Sequence, residues 1–321
     1  MNAQSVGRRI LLLHGGVLLA LFLAQFVLPD YHHGVLARIM VLAAYAMGYN
    51  ILFGYTGLLS LGHAMFFAAG LYGAGLTVYH LGWPVPLAFL AGLAAGGLLA
   101  LIVGFLALRT TGVAFMIVTM MFAQVFYLAT LYYTAYTRGD EGFTLSQAQR
   151  TLHLGAWSLD PTQPTARYMS AFLLFAVVML ASLAVVRSPF GRVLVAIREN
   201  EERTRMLGYD AFASKLAAVV VSGVICAGAG AAYALLFGSV GSTFASIQYS
   251  ILPLLWVLLG GAATILGPFL GALLMFYIID IASGYTSAYL VILGVLLVLL
   301  VLWFPKGIIG TLRRRYAPWL P

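Results

Sequence analysis

Side chains able to do chemistry are few in this chain, and most lie in one short run. Arg198 to Asp210 reads RENEERTRMLGYD, with six ionised groups between Arg198 and Arg205 in a sequence that is only 8% charged. Glu199 with Arg203, and Glu201 with Arg205, are four apart with the acid first, the better order for ion pairs on a helix face. At about 0.3 to 0.5 kcal/mol each, such pairs support a short helix without fixing it in place. Ser188 followed by Pro189 suits its start and Gly208 its stop, with Met206 and Leu207 as apolar contacts at its end. Elsewhere His63, Asp280 and Cys226 stand singly. Asp280 or His63 could relay protons, but Asp280 precedes Ser283 and Gly284 at the end of an apolar segment, where hydration or a helix partner would satisfy it. A lone histidine near a helix end reads first as a hydrogen-bonded structural residue, and Cys226 among apolar neighbours as packing. No H-E-x-x-H run or nucleophile constellation occurs, so no catalytic and no metal site is expected.

These groups must be positioned by helices in a membrane. The 321 residues are 63% hydrophobic, far from the soluble mix of about a quarter charged residues. Six ionised side chains would oppose insertion by roughly 15 to 20 kcal/mol, so the charged island faces water. A span needs about 20 apolar residues. Ten segments qualify: Ile10–Leu28, Val35–Phe53, Leu58–Tyr79, Val85–Leu108, Val113–Tyr133, Tyr168–Val186, Leu216–Gly238, Ile251–Leu266, Phe269–Ala282 and Ala288–Phe304. With the N-terminus in the cytoplasm, thirteen of the 17 basic residues fall inside, and only Arg38, Arg138, Arg150 and Arg167 outside. This is the positive-inside bias, and it makes the net charge of +8 a topology signal that calls for no nucleic acid. The first run, behind Arg8 and Arg9, is too long for a signal peptide and reads as an uncleaved span.

The expected fold is all-α, a polytopic transmembrane helical bundle of about ten spans with broken Gly/Pro-rich helices and both termini cytoplasmic. It forms a single domain over residues 1–321, with an extracytoplasmic loop at 134–166 and a cytoplasmic loop at 187–214. Segments near 58–79 and 251–282 are either full spans or broken helices that keep the same parity. Gly92 with Gly96, Gly267 with Gly271, and Gly228 with Gly230 have the small-residue character of helix contacts. Interrupted helices of this kind also mark transport routes. Tyr127, Tyr132, Tyr133 and Tyr136 read as interface anchors.

GRVLVAIRENEERTRMLGYDAFASKLAA (Gly191 to Ala218) resembles the corresponding segment of permease subunits of branched-chain amino-acid ABC importers, the LivM type. GYNILFGYTGLLSLGHAMFFAAGLYGAG, LALRTTGVAFMIVTMMFAQ, LLGGAATILGPFLGALL and WFPKGIIG are similar to the family in order and spacing, over most of the chain. One departure is TRGDEGF at Thr137 to Phe143, where the family usually carries Thr-Gly-Gly ahead of Gly-Leu. That departure puts a transfer of binding-protein contacts to this loop in doubt.

The resemblance implies a permease in the bacterial cytoplasmic (inner) membrane working with a homologous second permease (LivH type), two cytoplasmic ABC ATPase subunits and an extracytoplasmic substrate-binding protein. ATPase coupling falls on Arg198, Glu199, Asn200, Glu201, Glu202, Arg203, Thr204, Arg205, Met206, Leu207 and Gly208. Thr56, Gly57, Ser60, Gly62 and His63 become candidates for a broken helix beside the translocation route. This chain would bind no cofactor, with ATP and Mg on the partner ATPases. The residues agree, since a phosphate loop needs Gly before its Lys, whereas Lys215 follows Ser214 and Lys306 follows Pro305. Branched-chain amino acids are the implied substrate, with urea, short amides and aromatic acids as alternatives. The rival class is an ion- or proton-coupled secondary transporter or channel, in which the island is an ordinary solvated loop.

Overall fold

The computed structural model describes residues 3–154, 157–286 and 306–316, together with 288, 291, 294, 295, 298, 299 and 302–304. The chain runs through α1 (Ala3–Val27), α2 (Asp30–Asn50), a π-helical turn (Ile51–Tyr55), α3 (His63–Leu81), α4 (Val85–Ala107) and α5 (Val113–Tyr132). A compact connection follows with the one-turn helices α6 (Thr134–Thr137) and α7 (Gln147–Arg150) and the strands β1 (Phe143–Thr144), β2 (Leu152–Leu154) and β3 (Trp157–Leu159). Then come α8 (Pro164–Arg187), α9 (Pro189–Glu199), α10 (Glu201–Met206), α11 (Ala211–Phe237), β4 (Ser239–Val240), α12 (Ile247–Gly260), α13 (Gly267–Tyr285) and α14 (Ile308–Tyr316). Two short antiparallel ribbons, β1 with β4 and β2 with β3, close one end of the bundle. The charged island lies at the other.

Among the described residues eight helices are long and apolar enough to cross a membrane, so the protein is an all-α, multi-pass membrane protein. Two of the expected spans, left open as full or broken, prove to be broken. The segment from Leu58 becomes helical only at His63. The segment to Leu266 stops at Gly260, and the 14 residues of α12 reach about 21 Å, short of the roughly 30 Å hydrocarbon core. The span at Ala288–Phe304 lies largely outside the described residues.

Backbone contact between helices explains the glycines. α2, α3 and α11 form the buried centre, while α1, α4, α5, α8 and α13 keep apolar faces outward. A methyl group at Gly230 of α11 would overlap the Phe67 carbonyl of α3, one at Gly70 the Ala227 carbonyl, and one at Gly96 of α4 the Ala227 side chain. Gly271 of α13 lies equally close to the Trp256 carbonyl of α12. Small residues replace an absent hydrophobic drive between helices in lipid with close van der Waals contact. Cys226 is buried in the same centre against the Tyr45 carbonyl, 3.6 Å away.

The expected single helix at the island is two. Ser188 caps α9, accepting from the Gly191 amide at 3.2 Å, with Pro189 in its first turn. At Asn200 the backbone turns extended (φ −161°, ψ 103°), and the Asn200 side chain caps α10 by accepting from the Arg203 amide at 2.9 Å. This break separates Glu199 from Arg203, so that ion pair does not form. Gly208, at φ 88°, ends α10 as expected.

Candidate functional site

α9 packs Gly191, Leu194 and Ile197 inward, and this brings Arg198 onto the end of α2. The Arg198 guanidinium donates to the Gly54 carbonyl in the π-helical turn, where the irregular winding leaves that oxygen free. Its stem lies against Gly57, whose φ of 78° suits glycine. The island is therefore bonded directly to the broken helix through residues 144 apart in sequence.

From Thr56 to Gly62 the backbone is not helical. Thr56 donates to the Ile51 carbonyl at 3.0 Å, and the Tyr49 hydroxyl donates to the Ser60 carbonyl at 3.1 Å. His63 is fully buried, with Nδ1 3.1 Å from Ser60 Oγ and Nε2 3.0 Å from Ser222 Oγ. Ser222 donates its own proton to the Gly48 carbonyl at 2.7 Å. It must therefore accept from Nε2–H, which leaves Nδ1 to accept from Ser60. Both ring nitrogens are engaged, and the ring lies edge-on to Tyr49 at 4.6 Å. The structural reading of His63 fits this enclosure. His63→Ala is expected to lower the detergent melting temperature by removing two buried hydrogen bonds, about 1 to 3 kcal/mol together, with no new pH dependence of transport. A shifted pH profile at unchanged stability would contradict this.

Two interrupted helices meet here. Ser222 lies near the middle of α11, so α3 starts about halfway along that helix. The Ala64 amide donates to Ser250 Oγ in the first turn of α12 at 2.9 Å, which places the N-termini of α3 and α12 together. A second break lies at Gly261–Leu266, between α12 and α13. Asn50 clamps it to α2, donating to the Thr264 carbonyl at 2.9 Å and accepting from the Ala263 amide at 3.1 Å. Arg313 of α14 donates to the Ala263 carbonyl at 3.0 Å. Both breaks are thus held at the same end of α2.

On the island, Glu201 bonds Arg205 at 2.6 Å, as its spacing predicts, and also Lys215 of α11 at 2.5 Å. Burial acts against its charge, but the Lys215 ammonium and the Arg205 guanidinium outweigh it and hold the Glu201 pKa below the ordinary carboxylate value. This contribution is present above the unfolded pKa and is lost as pH falls through the lower folded one. Thr204 is buried and donates to the Asn200 carbonyl at 2.8 Å. Glu199, Glu202, Arg203 and Arg205 are exposed. So are Met206, at 84%, and Leu207, at 71%, which leaves an apolar tip uncovered by the described residues.

Sequence reasoning missed Asn50, Ser222, Lys215 and the inward bond of Arg198. Asn50 carried a signal, being an amide in an apolar run; Ser222 carried none. Arg38, counted on the outer side, sits in the third turn of α2, eight residues after Asp30, with its guanidinium 5.3 Å from the Phe237 ring at the ribbon end. Asp280 is exposed and accepts from the Tyr31 hydroxyl at 3.1 Å, a contact between α13 and α2. In the departing TRGDEGF segment, Arg138 donates to the Tyr79 hydroxyl at 2.7 Å and Asp140 accepts from Ser242 at 3.1 Å.

Residues 32–301 match the family model described as branched-chain amino acid transport system / permease component. The chain belongs to that permease family. The permease is 29% identical over 296 residues to the high-affinity branched-chain amino acid transport system permease protein LivM of Escherichia coli, covering 85% of this chain and 69% of that protein. The LivM protein of Salmonella typhimurium matches to the same extent. A probable LivM permease of Methanocaldococcus jannaschii is 31% identical over 140 residues, covering 39% of this chain and 41% of that one. No solved structure matches the permease significantly.

Proposed function

We propose that this permease is the membrane-spanning subunit of an ATP-driven importer for branched-chain amino acids, in the cytoplasmic membrane of a bacterium. The bond between Arg198 and the Gly54 carbonyl carries the reading, because it joins a water-facing helix to the broken helix in the bundle. Two ABC ATPase subunits close beneath the island and push α9 and α10. A LivH-type second permease completes the route, and an extracytoplasmic binding protein selects the solute. The permease itself binds no cofactor and has no ATPase site; ATP and Mg belong to the partner subunits. The excess of basic residues toward the island supports a cytoplasmic position for it. Met206 and Leu207 offer the apolar contact that an ATPase groove would cover. Thr56, Gly57, Ser60, Gly62 and His63 line the break beside the route, and alternating access is movement of this break against the one at Gly261–Leu266. The engaged nitrogens of His63 give a proton-coupled mechanism no free base there.

Co-purification with candidate partners, followed by ATPase and leucine uptake assays in vesicles, tests the proposal. Uptake that continues without any ATPase and stops when the proton gradient collapses would overturn it. A second test exchanges the charges of Glu201 and Arg205. The exchange re-forms their pair but sets an arginine against Lys215, so uptake is expected to fall severalfold. Unchanged uptake would return the island to a solvated loop.

A further inference from the structure

At the ribbon end a crevice of about 380 Å³ opens between α4 and α8. Leu235 and Leu236 of α11 line its floor, and Leu152 and Leu159 of the β2–β3 ribbon form its roof. Its lip is lipid-facing, with Leu173 65% and Val177 57% exposed. Almost all its walls are apolar, and Arg150 lines it beside the ribbon. Nη1 of Arg150 donates to the Leu236 carbonyl at 3.1 Å, while the buried Nε–H has no acceptor. Among the described residues no carboxylate makes a salt bridge with Arg150. Burial and the like charge of Arg167 both hold its pKa below the usual arginine value, against the opposing pull of Asp160. Among the described residues Asp160 is the nearby anion but makes no salt bridge with Arg150, so a phosphate oxygen can accept from the guanidinium edge that the Leu236 carbonyl and the buried Nε leave open.

We propose that the crevice binds one acyl chain of an anionic phospholipid whose headgroup phosphate rests on Arg150. The two halves of the site match the two halves of the ligand: an apolar slot open to the bilayer, and a cation at headgroup height where the chain leaves the apolar helices. The test is native mass spectrometry of the purified importer complex, equilibrated with vesicles of equal phosphatidylglycerol and phosphatidylcholine. Phosphatidylglycerol is expected to be retained about fivefold over phosphatidylcholine, the preference that one basic side chain supplies near an anionic surface. Arg150→Gln abolishes the preference and Arg150→Lys keeps most of it. Val177→Trp, which narrows the lip without touching Arg150, lowers retention of both lipids. Equal retention by the unaltered complex, or an unchanged preference in Arg150→Gln, overturns the proposal. So does a photoreactive side chain at Leu173 that labels a second permease in place of lipid.

Discussion

Arg198→Ala is expected to reduce uptake by roughly tenfold to a hundredfold while the complex still hydrolyses ATP. The substitution removes one hydrogen bond to a charged group, about 1.5 to 3 kcal/mol, which is the only side-chain bond between α9 and the π-helical turn among the described residues. The variant leaves α9 intact, since Leu194 and Ile197 still face the bundle and Ser188 still caps it. ATPase closure would then move the island without moving the Gly54 turn. Arg198→Lys is expected to recover part of the uptake, because an ammonium can reach the carbonyl but lacks the planar fork. Parallel measurement of ATP hydrolysis and leucine uptake in reconstituted vesicles reads the ratio directly. Uptake and hydrolysis that fall together would make Arg198 an assembly residue, and unchanged uptake would remove it from the coupling path.

Gly230→Ala is expected to destabilise the bundle by about 2 to 4 kcal/mol, or to prevent its accumulation. The added methyl group meets the Phe67 carbonyl, and a backbone oxygen cannot rotate away as a side chain can. α3 and α11 would have to separate, and the His63 to Ser222 bond between them would lengthen with them. Gly15→Ala is the matched control: nothing lies within 4 Å of its new methyl group, and alanine is the better helix former by about 1 kcal/mol. Thermal unfolding in detergent compares the two. A melting temperature for Gly230→Ala equal to that of the control would show that the helices are not held at backbone contact.

Much of the bundle was legible in one dimension. Apolar length and the arrangement of basic residues gave the membrane class and most spans, because insertion energy adds residue by residue along a helix. Ser188, Pro189 and Gly208 marked a helix start and stop, since capping is local chemistry. The glycine clusters pointed to close helix contact, and Glu201 with Arg205 pairs as its spacing predicts. The reading failed where a local pattern met a distant competitor. Asn200 breaks what the charge pattern treats as one helix, so Glu199 and Arg203 part. Lys215 then takes the second oxygen of Glu201.

By itself, the sequence determined the solvent of this protein, its helical class, the water-facing island and, through its motifs, its permease family. Only the tertiary structure decided what the island touches, which end of α2 clamps both breaks, and that His63 is sealed between two serines. Those bonds join residues such as Arg198 with Gly54 and His63 with Ser222, 144 and 159 positions apart. Contacts of that separation leave no period in the sequence; they exist only once glycine contacts have brought the helices to backbone distance.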